Sequence, residues 1–353
     1  MKKAAYCPYR LIFKNPAVTS RDVMLHKDTY FVKVWDDSNP MVCGIGECAL
    51  FKGLSCDDRP GYEDMLAEAC RRIDSLDTAL LRREWPSIAF GLETAVRDLN
   101  TGGMMRPYSS TWSDGAYGIR INGLVWMGSI NEMRERVAQK IAHGFTCVKL
   151  KIGGQDFDDE LKILQSIRDL IPSERDLEIR LDANGAFLPV DAMDKLYQLS
   201  QYGIHSIEQP IRQGQWEEMA DICRRSPISI ALDEDLIGIN DPVLKHRMLE
   251  LIRPHYVILK PSLCGGISGS EEWISIARNM GIGWWVTSAL ESNIGLNAIA
   301  QWTSTLEVKM PQGLGTGGLY VNNIESPMCQ HSEQLWYDIN RKWIIPDLPW
   351  ISL

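Results

Sequence analysis

The chain has 353 residues, of which 45% are hydrophobic and 24% are charged, and its formal net charge is −9. This composition is typical of a globular protein with one large and one smaller domain. The negative charge argues against a nucleic-acid partner, and no apolar run approaches the roughly 20 residues of a membrane span. The N-terminal apolar stretch is too short for a signal peptide and the nine cysteines show no CxxC spacing, so we expect a cytoplasmic protein with reduced thiols.

Residues 1–105 predict an α+β domain. Their strand-like runs favour an antiparallel sheet, and two longer periodic runs favour helices. The strand-like runs are RLIFKN, TYFVKVWD and VCGIGECA, and the helical runs are DMLAEACRRIDS and SIAFGLETAVRDLN. Residues 101–118 are rich in glycine, serine and threonine, which is typical of a linker. The aromatic-rich tail, residues 320–353, is expected to pack back on this small domain.

From about residue 119, strand-like and helix-like runs alternate regularly. The strand-like runs are IRINGLVW, CVKLKI, EIRLDA, HSIEQP, ISIALDE, YVILKP, GWWVTSAL and VKMPQGLGTG. Apolar strands that alternate with helices predict a parallel sheet, and about eight such units fit a TIM-type (β/α) barrel, modified to about 7–8 strands, better than an open sheet. We therefore expect residues 106–319 to form the barrel, with its active site at the C-terminal ends of the strands.

Five charged residues recur at the spacing of this strand–helix repeat. Asp182, Glu208 and Asp233 come near the ends of three successive strand-like runs, 26 and 25 residues apart. Lys151 and Lys260 end the runs on either side, which are diametrically opposed in an eight-stranded barrel. Three converging carboxylates form a donor set for a hard divalent cation such as Mg²⁺.

This arrangement suits the removal of a proton next to a carboxylate. A bound Mg²⁺ would neutralise the negative charge of the enediolate as it forms. A partly desolvated lysine near a cation is expected to have a lowered pKa and to act as the base. Any one of the five residues alone is more often a salt-bridge partner, and it is their common register that favours a site.

Other polar residues near the strand ends leave two interpretations open. Lys149 shares a strand face with the lysine two residues later, and it could meet the substrate carboxylate or form a structural ion pair. Ser288 and Glu291 could line the site or cap a helix. Gly315 and Thr316, in QGLGTGG, could hold a substrate carboxylate through backbone N–H groups or form a tight turn.

Several motifs together resemble the muconate-lactonizing subgroup of the enolase superfamily, and the resemblance covers essentially the whole chain, including the N-terminal capping domain. These motifs are KLK (149–151), LDANGAF (181–187), IEQP (207–210), ALDED (231–235) and LKPSLCGG (259–266). Within the subgroup, TSALESNIGLNAIAQ (287–301) and QGLGTGGLY (312–320) resemble the o-succinylbenzoate synthases of menaquinone biosynthesis.

The resemblance implies a role for each matching residue. Asp182, Glu208 and Asp233 would bind Mg²⁺, with Mn²⁺ as an alternative. Lys151 would remove the α-proton and return a proton to the departing hydroxyl in a syn dehydration. Lys260 would stabilise the enediolate from the opposite face. The reaction would convert 2-succinyl-6-hydroxy-2,4-cyclohexadiene-1-carboxylate to o-succinylbenzoate, so the protein would be a carbon–oxygen lyase.

The resemblance also implies capping loops near residues 15–27 and 50–59, where Arg21 or Lys52 could meet the succinyl carboxylate. The resemblance thus implies a small-molecule carboxylate as the substrate, and it allows a homo-oligomer. An N-acylamino acid racemase or dipeptide epimerase, a muconate cycloisomerase and a non-catalytic binding barrel remain alternatives. Dipeptide epimerases of this group usually carry an acidic pair near the end of strand eight, where this chain has Gly315-Thr316-Gly317, which argues against a dipeptide.

Overall fold

The computed structural model describes residues 1–18, 23–171, 173 and 176–352. The strands are β1 (Lys2–Val18), β2 (Val23–Asp36), β3 (Asn39–Cys48), β4 (Ile119–Arg120), β5 (Gly123–Val125), β6 (Cys147–Lys151), β7 (Glu178–Asp182), β8 (Ile204–Glu208), β9 (Ser229–Leu232), β10 (Tyr256–Leu259), β11 (Gly283–Val286), β12 (Met328–His331), β13 (Gln334–Tyr337) and β14 (Ile351–Ser352). The α-helices are α1 (Tyr62–Arg71), α2 (Thr78–Glu84), α3 (Pro86–Asn100), α4 (Ile130–Ala142), α5 (Phe157–Leu170), α6 (Pro189–Leu199), α7 (Trp216–Arg225), α8 (Pro242–Ile252), α9 (Gly266–Asn279) and α10 (Asn293–Ser304). Among the described residues, no helix has both the length and the apolar character needed to cross a membrane.

The N-terminal part is an antiparallel sheet of order β14-β1-β2-β3, covered by helices. The predicted strands and both predicted helices are confirmed, and α2 is an addition. Helix α3 lies directly on β3, because two glycines of that strand leave room for the helix backbone. A Cβ atom at Gly44 or Gly46 would lie 2.0 Å from the carbonyl oxygen of Ala95 or Gly91. Glycine at these two positions therefore permits a close approach of helix and sheet.

The second part is a parallel sheet of order β5-β6-β7-β8-β9-β10-β11, with helices α4 to α10 between and after the strands. Isolated parallel bridges join Thr287, just after β11, to Gly313, and Ile121, just before β5, to Gln312. The predicted TIM-type barrel is confirmed with two corrections. The eighth strand-like run forms these bridges in place of a strand, and the first run is split, since β4 pairs with β13 while β5 pairs with β6.

The C-terminal tail contacts both parts of the molecule. Strand β14 pairs with β1, and Trp343 and Trp350 pack in a cluster with Cys7 and Phe31 of the N-terminal sheet. The hairpin of β12 and β13 pairs instead with β4 at the barrel. The tail thereby links the N-terminal sheet to the first segment of the barrel.

Candidate active site

The parallel register places the charged side chains in one row at the C-terminal ends of the barrel strands. Lys151 is directly beside Asp182, and Asp182 is directly beside Glu208. Asp233 follows the last residue of β9, and Lys260 follows the last residue of β10. The structure therefore brings together the five residues that the repeat spacing selected, because parallel strands with matched lengths end at the same rim.

The three carboxylates are held by three lysines. Lys149 Nζ donates to Glu208 Oε2 at 2.6 Å and lies 2.8 Å from Asp182 Oδ2. Lys151 Nζ lies 2.6 Å from the same Asp182 oxygen, and Lys260 forms an ion pair with Asp233. Of the three acids, each is at most 2% exposed, so the network is screened very little by water.

Burial and neighbouring charges both shift the pKa values of the acids in this network. Burial raises the pKa of Asp182, but the ammonium groups of Lys149 and Lys151 outweigh it and hold that pKa well below its usual range. Burial and the neighbouring carboxylate of Asp182 raise the pKa of Glu208 well above its usual range. Glu208 is therefore the acid whose charge is compensated least by the surrounding lysines.

Two opposing influences act on the pKa of Lys260, which are burial and the neighbouring carboxylates. Burial lowers it, but the carboxylates of Asp233 and Glu208 act in the other direction, and the net pKa is raised. A raised pKa agrees with the sequence-based expectation that Lys260 supplies positive charge and that a different lysine is the base. The adjacent carboxylates therefore favour the ammonium form of Lys260.

The donor set fits a hard cation in its chemistry. It consists of carboxylate oxygens on three adjacent strand ends, which is what Mg²⁺ prefers. Glu208 Oε1 is buried and has no hydrogen-bond partner among the described residues, so it is free to bind a cation. As the side chains stand, no group of three or more His, Cys, Asp or Glu in the described part of the chain could hold a metal ion. One oxygen of each of the carboxylates of Asp182, Glu208 and Asp233 contacts a lysine ammonium group. A bound metal ion would therefore have to replace some of these lysine contacts.

Asn184 is a neighbour of Lys151 that the sequence interpretation did not select. Its Oδ1 accepts from Lys151 Nζ at 3.0 Å, and its Nδ2 donates to Glu234 Oε1 at 3.0 Å. Its backbone has a φ of +47°, which asparagine tolerates better than most residues. The Asn-Gly pair within LDANGAF is a turn signal, and it could have identified this residue.

A cavity opens above the row of lysines and acids. Lys151 and Lys260 line it from the barrel, and Met24, Phe51 and Leu54 line it from the N-terminal part. Among the described residues that line this cavity there is no Asp or Glu. The cavity therefore combines an apolar wall with several ammonium groups, which suits an anionic substrate with an apolar body.

The weaker candidates are divided between the cavity wall and the layer behind it. Ser288, Gly315 and Thr316 line the cavity. Glu291 is fully buried and accepts hydrogen bonds from Ser262 Oγ at 2.6 Å and from Ser288 Oγ at 2.5 Å. Thr316 Oγ1 lies 2.9 Å from Ser288 Oγ, so a chain of hydroxyl groups leads from the wall to Glu291.

The two capping-loop candidates have different outcomes. Lys52 lines a neighbouring cavity, which shares Met24, Phe51 and Leu54 with the first one. Arg21 lies outside the described residues. Of these two residues only Lys52 can be placed, and it is not among the residues that line the cavity above the row of lysines and acids.

Comparison with known proteins places the chain in a family. The family described as "Enolase C-terminal domain-like" matches residues 132–323. The chain belongs to the enolase superfamily. An o-succinylbenzoate synthase of Desulfotalea psychrophila (strain LSv54 / DSM 12343) is 46% identical over 90% of this chain and 94% of that protein. This superfamily assignment agrees with the confirmed barrel and with the N-terminal sheet.

Two solved structures are similar to this chain over nearly its whole length. A crystal structure of MenC from Desulfotalea psychrophila LSv54 superimposes with a TM-score of 0.83 at 43% identity, covering 95% of this chain and 99% of that chain. A substrate-liganded L-Ala-D/L-Glu epimerase of Bacillus subtilis has a TM-score of 0.81 at 18% identity and covers 95% of both chains. The second likeness shows the superfamily fold alone, so the substrate has to be argued from other observations.

Proposed function

We propose that the protein catalyses the o-succinylbenzoate synthase reaction of menaquinone biosynthesis. It is then a carbon–oxygen lyase that dehydrates 2-succinyl-6-hydroxy-2,4-cyclohexadiene-1-carboxylate to o-succinylbenzoate. The observation that carries this proposal is the 46% identity, over 90% of the chain, to a protein with that name. The cationic, acid-free lining of the described cavity supports it, because the substrate carries two carboxylates.

The chemistry assigns different tasks to the two lysines. Lys151 Nζ takes the proton from the ring carbon that bears the carboxylate. The C–O bond of the neighbouring hydroxyl then breaks, and the hydroxyl leaves as water with a proton returned by the same nitrogen. Loss of water makes the ring aromatic. Lys260, as an ammonium ion, stabilises the negative charge that develops on the carboxylate while the proton is away.

Asp182, Glu208 and Asp233 are proposed to hold a Mg²⁺ ion, with Mn²⁺ as a substitute. When bound, this ion would withdraw charge from the substrate carboxylate as a Lewis acid. Lys149 bridges two of the carboxylates and keeps them at a fixed separation. Its proposed task is therefore to orient these carboxylates, since a buried acid without a partner would be costly.

The cavity wall favours the cyclohexadiene over a dipeptide. Met24, Phe51 and Leu54 offer an apolar surface to the ring. We assign the succinyl carboxylate to the polar end of the wall, at Ser288 and the backbone of Gly315. A dipeptide would bring an ammonium group to a cavity whose described lining holds lysines and no acid, at a cost of several kcal/mol.

The same proposal extends to domain limits and location. We place the capping domain at residues 1–105 and the barrel at 106–319, and the tail from 320 contacts the capping domain through β14 and the barrel through the hairpin of β12 and β13. The cytoplasm is the proposed compartment, where thiols remain reduced. All nine cysteines of this chain are free thiols in the structure.

The test is a comparison of kcat/KM for the cyclohexadiene carboxylate and for L-Ala-L-Glu, each measured with Mg²⁺ and with a chelator. We expect the first substrate to be preferred by at least about a hundredfold, since an unpaired ammonium costs several kcal/mol. We also expect the chelator to abolish turnover. A higher kcat/KM on the dipeptide would reject the proposed reaction.

A further inference from the structure

A carboxylate of the N-terminal sheet binds the first turn of a barrel helix. Glu47 lies on β3 and is fully buried. Its Oε2 accepts from Ser292 Oγ at 2.5 Å and from Gly295 N at 3.0 Å, and its Oε1 accepts from Ser292 N at 3.1 Å. The first N–H groups of a helix have no partner within the helix. Glu47 thus supplies from another part of the chain the acceptor that the start of α10 needs.

The surroundings of Glu47 fit this contact closely. A Cβ atom at Gly295 would lie 2.8 Å from Glu47 Oε2, so glycine there leaves room for the carboxylate. Thr29 Oγ1, on β2, donates to Glu47 Oε1 at 2.9 Å. Glu47 therefore connects two neighbouring strands of the N-terminal sheet to the start of α10.

The segment before α10 carries backbone strain and part of the cavity wall. Leu290 has a φ of +63°, which is rare for a residue with a branched side chain. Ser288 and Leu290 both line the cavity, and the carbonyl oxygen of Leu290 accepts from Tyr320 OH at 2.7 Å. A strained backbone persists only where its surroundings hold it in place. The contact of Glu47 with Ser292, two residues further on, is one such restraint.

We propose that Glu47 is a positioning residue of the active site, which holds the strained segment 288–292 against the N-terminal sheet and so keeps Ser288 and Leu290 at the cavity wall. The kinetic test of this role rests on the proposed function, which assigns the succinyl end of the substrate to this part of the cavity wall. That end does not react, so its contacts are the same in the ground state and in the transition state. Losing Glu47 then raises KM and leaves kcat nearly unchanged.

Glu93 offers a matched control for the substitution Glu47→Gln. Glu93, on α3, accepts from the backbone N–H groups of Ile267 at 2.8 Å and Ser268 at 3.1 Å, and from the Ser268 hydroxyl. It therefore binds the start of α9 from the N-terminal part, as Glu47 binds the start of α10. The neighbours of Glu93 border a different cavity, lined by Ser268 and Arg97 among others. Glu93→Gln consequently removes the same kind of contact without touching the substrate wall.

The kinetic experiment compares Glu47→Gln and Glu93→Gln in the full-length, Mg²⁺-loaded enzyme. We expect Glu47→Gln to raise KM for the cyclohexadiene carboxylate at least about tenfold while kcat changes less than about threefold. Both constants of Glu93→Gln should stay within about twofold of the unmodified enzyme. Equal kinetic constants in the two variants would overturn the positioning role of Glu47.

Amide hydrogen exchange provides a readout that does not depend on activity. In Glu47→Gln the amides of residues 288–296 should exchange faster, and in Glu93→Gln the increase should fall on residues 266–270 instead. Unchanged exchange at 288–296 would overturn the proposal even if the unmodified enzyme proved inactive on this substrate, an outcome that would reject the proposed function separately. If Glu47→Gln does not fold, Thr29→Val removes one bond of the same contact and should show the same pattern at smaller amplitude.

Discussion

The two ends of the barrel both bury charged side chains, but they use them differently. Strand β7 contributes to each end, with Arg180 and Asp182 on the same face of the strand, two residues apart. At the closed end, the Arg180 guanidinium stacks over the Trp285 ring at 4.4 Å and donates to the Pro311 carbonyl at 2.9 Å and to Glu178 at 2.6 Å. At the open end, Asp182 binds lysines that line a cavity.

This comparison shows that burial of a charge does not by itself mark a site. Arg180 is 1% exposed, and an aromatic ring and a carbonyl group cover it, so it fills the barrel interior. Lys151 and Lys260 are nearly as buried, yet their ammonium groups border open space. What distinguishes the site is a buried charge with room for a substrate beside it.

The largest effect should follow from changing an acid of the open end. Asp233→Asn removes a proposed metal ligand and the anionic partner of Lys260. We expect Mg²⁺ affinity to fall and kcat/KM to drop about a hundredfold to a thousandfold, because charge stabilisation in the transition state is lost. Titration calorimetry with Mg²⁺ and the dehydration assay measure the two effects.

Asp235→Asn is the matched control for that variant. Asp235 is also buried, but its carboxylate accepts from Gln209 Nε2 at 2.7 Å and from Gly214 N at 2.8 Å, and neither of these partners is a lysine. The Mg²⁺ affinity of the Asp235→Asn variant should equal that of the unmodified protein. Full activity of Asp233→Asn without added metal would show that the open end is not a metal site.

An intermediate effect is expected at Asn184. Asn184→Gly removes one of the two acceptors of Lys151, leaves Asp182 as the other, and keeps a residue that tolerates the positive φ. Lys151 should then lose its fixed orientation, and kcat should fall about tenfold to a hundredfold, with a smaller change in KM. Steady-state kinetics would measure the change, and circular dichroism would verify the fold. Unchanged kcat would mean that Lys151 is oriented by Asp182 alone.

The smallest effect on activity should come from the closed end. Arg180→Met keeps an apolar chain against Trp285 but removes the contacts with Glu178 and Pro311. The free energy of unfolding should fall by roughly 2 kcal/mol, since a buried carbonyl loses its donor while Glu178 is still partly hydrated. kcat/KM should stay within about threefold. A folded variant with a hundredfold lower kcat would contradict the contrast between the two ends.

Much of the fold was predictable because the central strands of the barrel are short apolar runs with charges directly at their ends. Asp182 and Glu208 terminate such runs, and their spacing of one repeat is enough to place them side by side. The first strand was harder, because IRINGLVW reads as one continuous run. Its split into β4 and β5 is determined by pairing with β13, a segment more than 200 residues away in the sequence.

Contacts between side chains from distant segments could not be predicted. The raised pKa of Lys260 depends on the distance to Asp233, which no spacing rule supplies. The contact of Glu47 with Ser292 joins positions 245 residues apart, and nothing in GIGEC points to a helix start in the barrel. The position of Glu291 behind Ser288 is likewise a consequence of packing.

The measurement that tests the central claim most directly is the single-turnover rate of dehydration by Lys151→Arg and Lys260→Arg, with circular dichroism as the check on folding. Arginine keeps the positive charge but does not give up its proton in this pH range. We expect Lys151→Arg to be inactive, because one nitrogen serves both proton steps. Lys260→Arg should retain measurable activity, since its task is to supply charge, although its larger head group will slow the reaction. Substantial activity in Lys151→Arg, or equal and complete loss in both variants, would contradict the account.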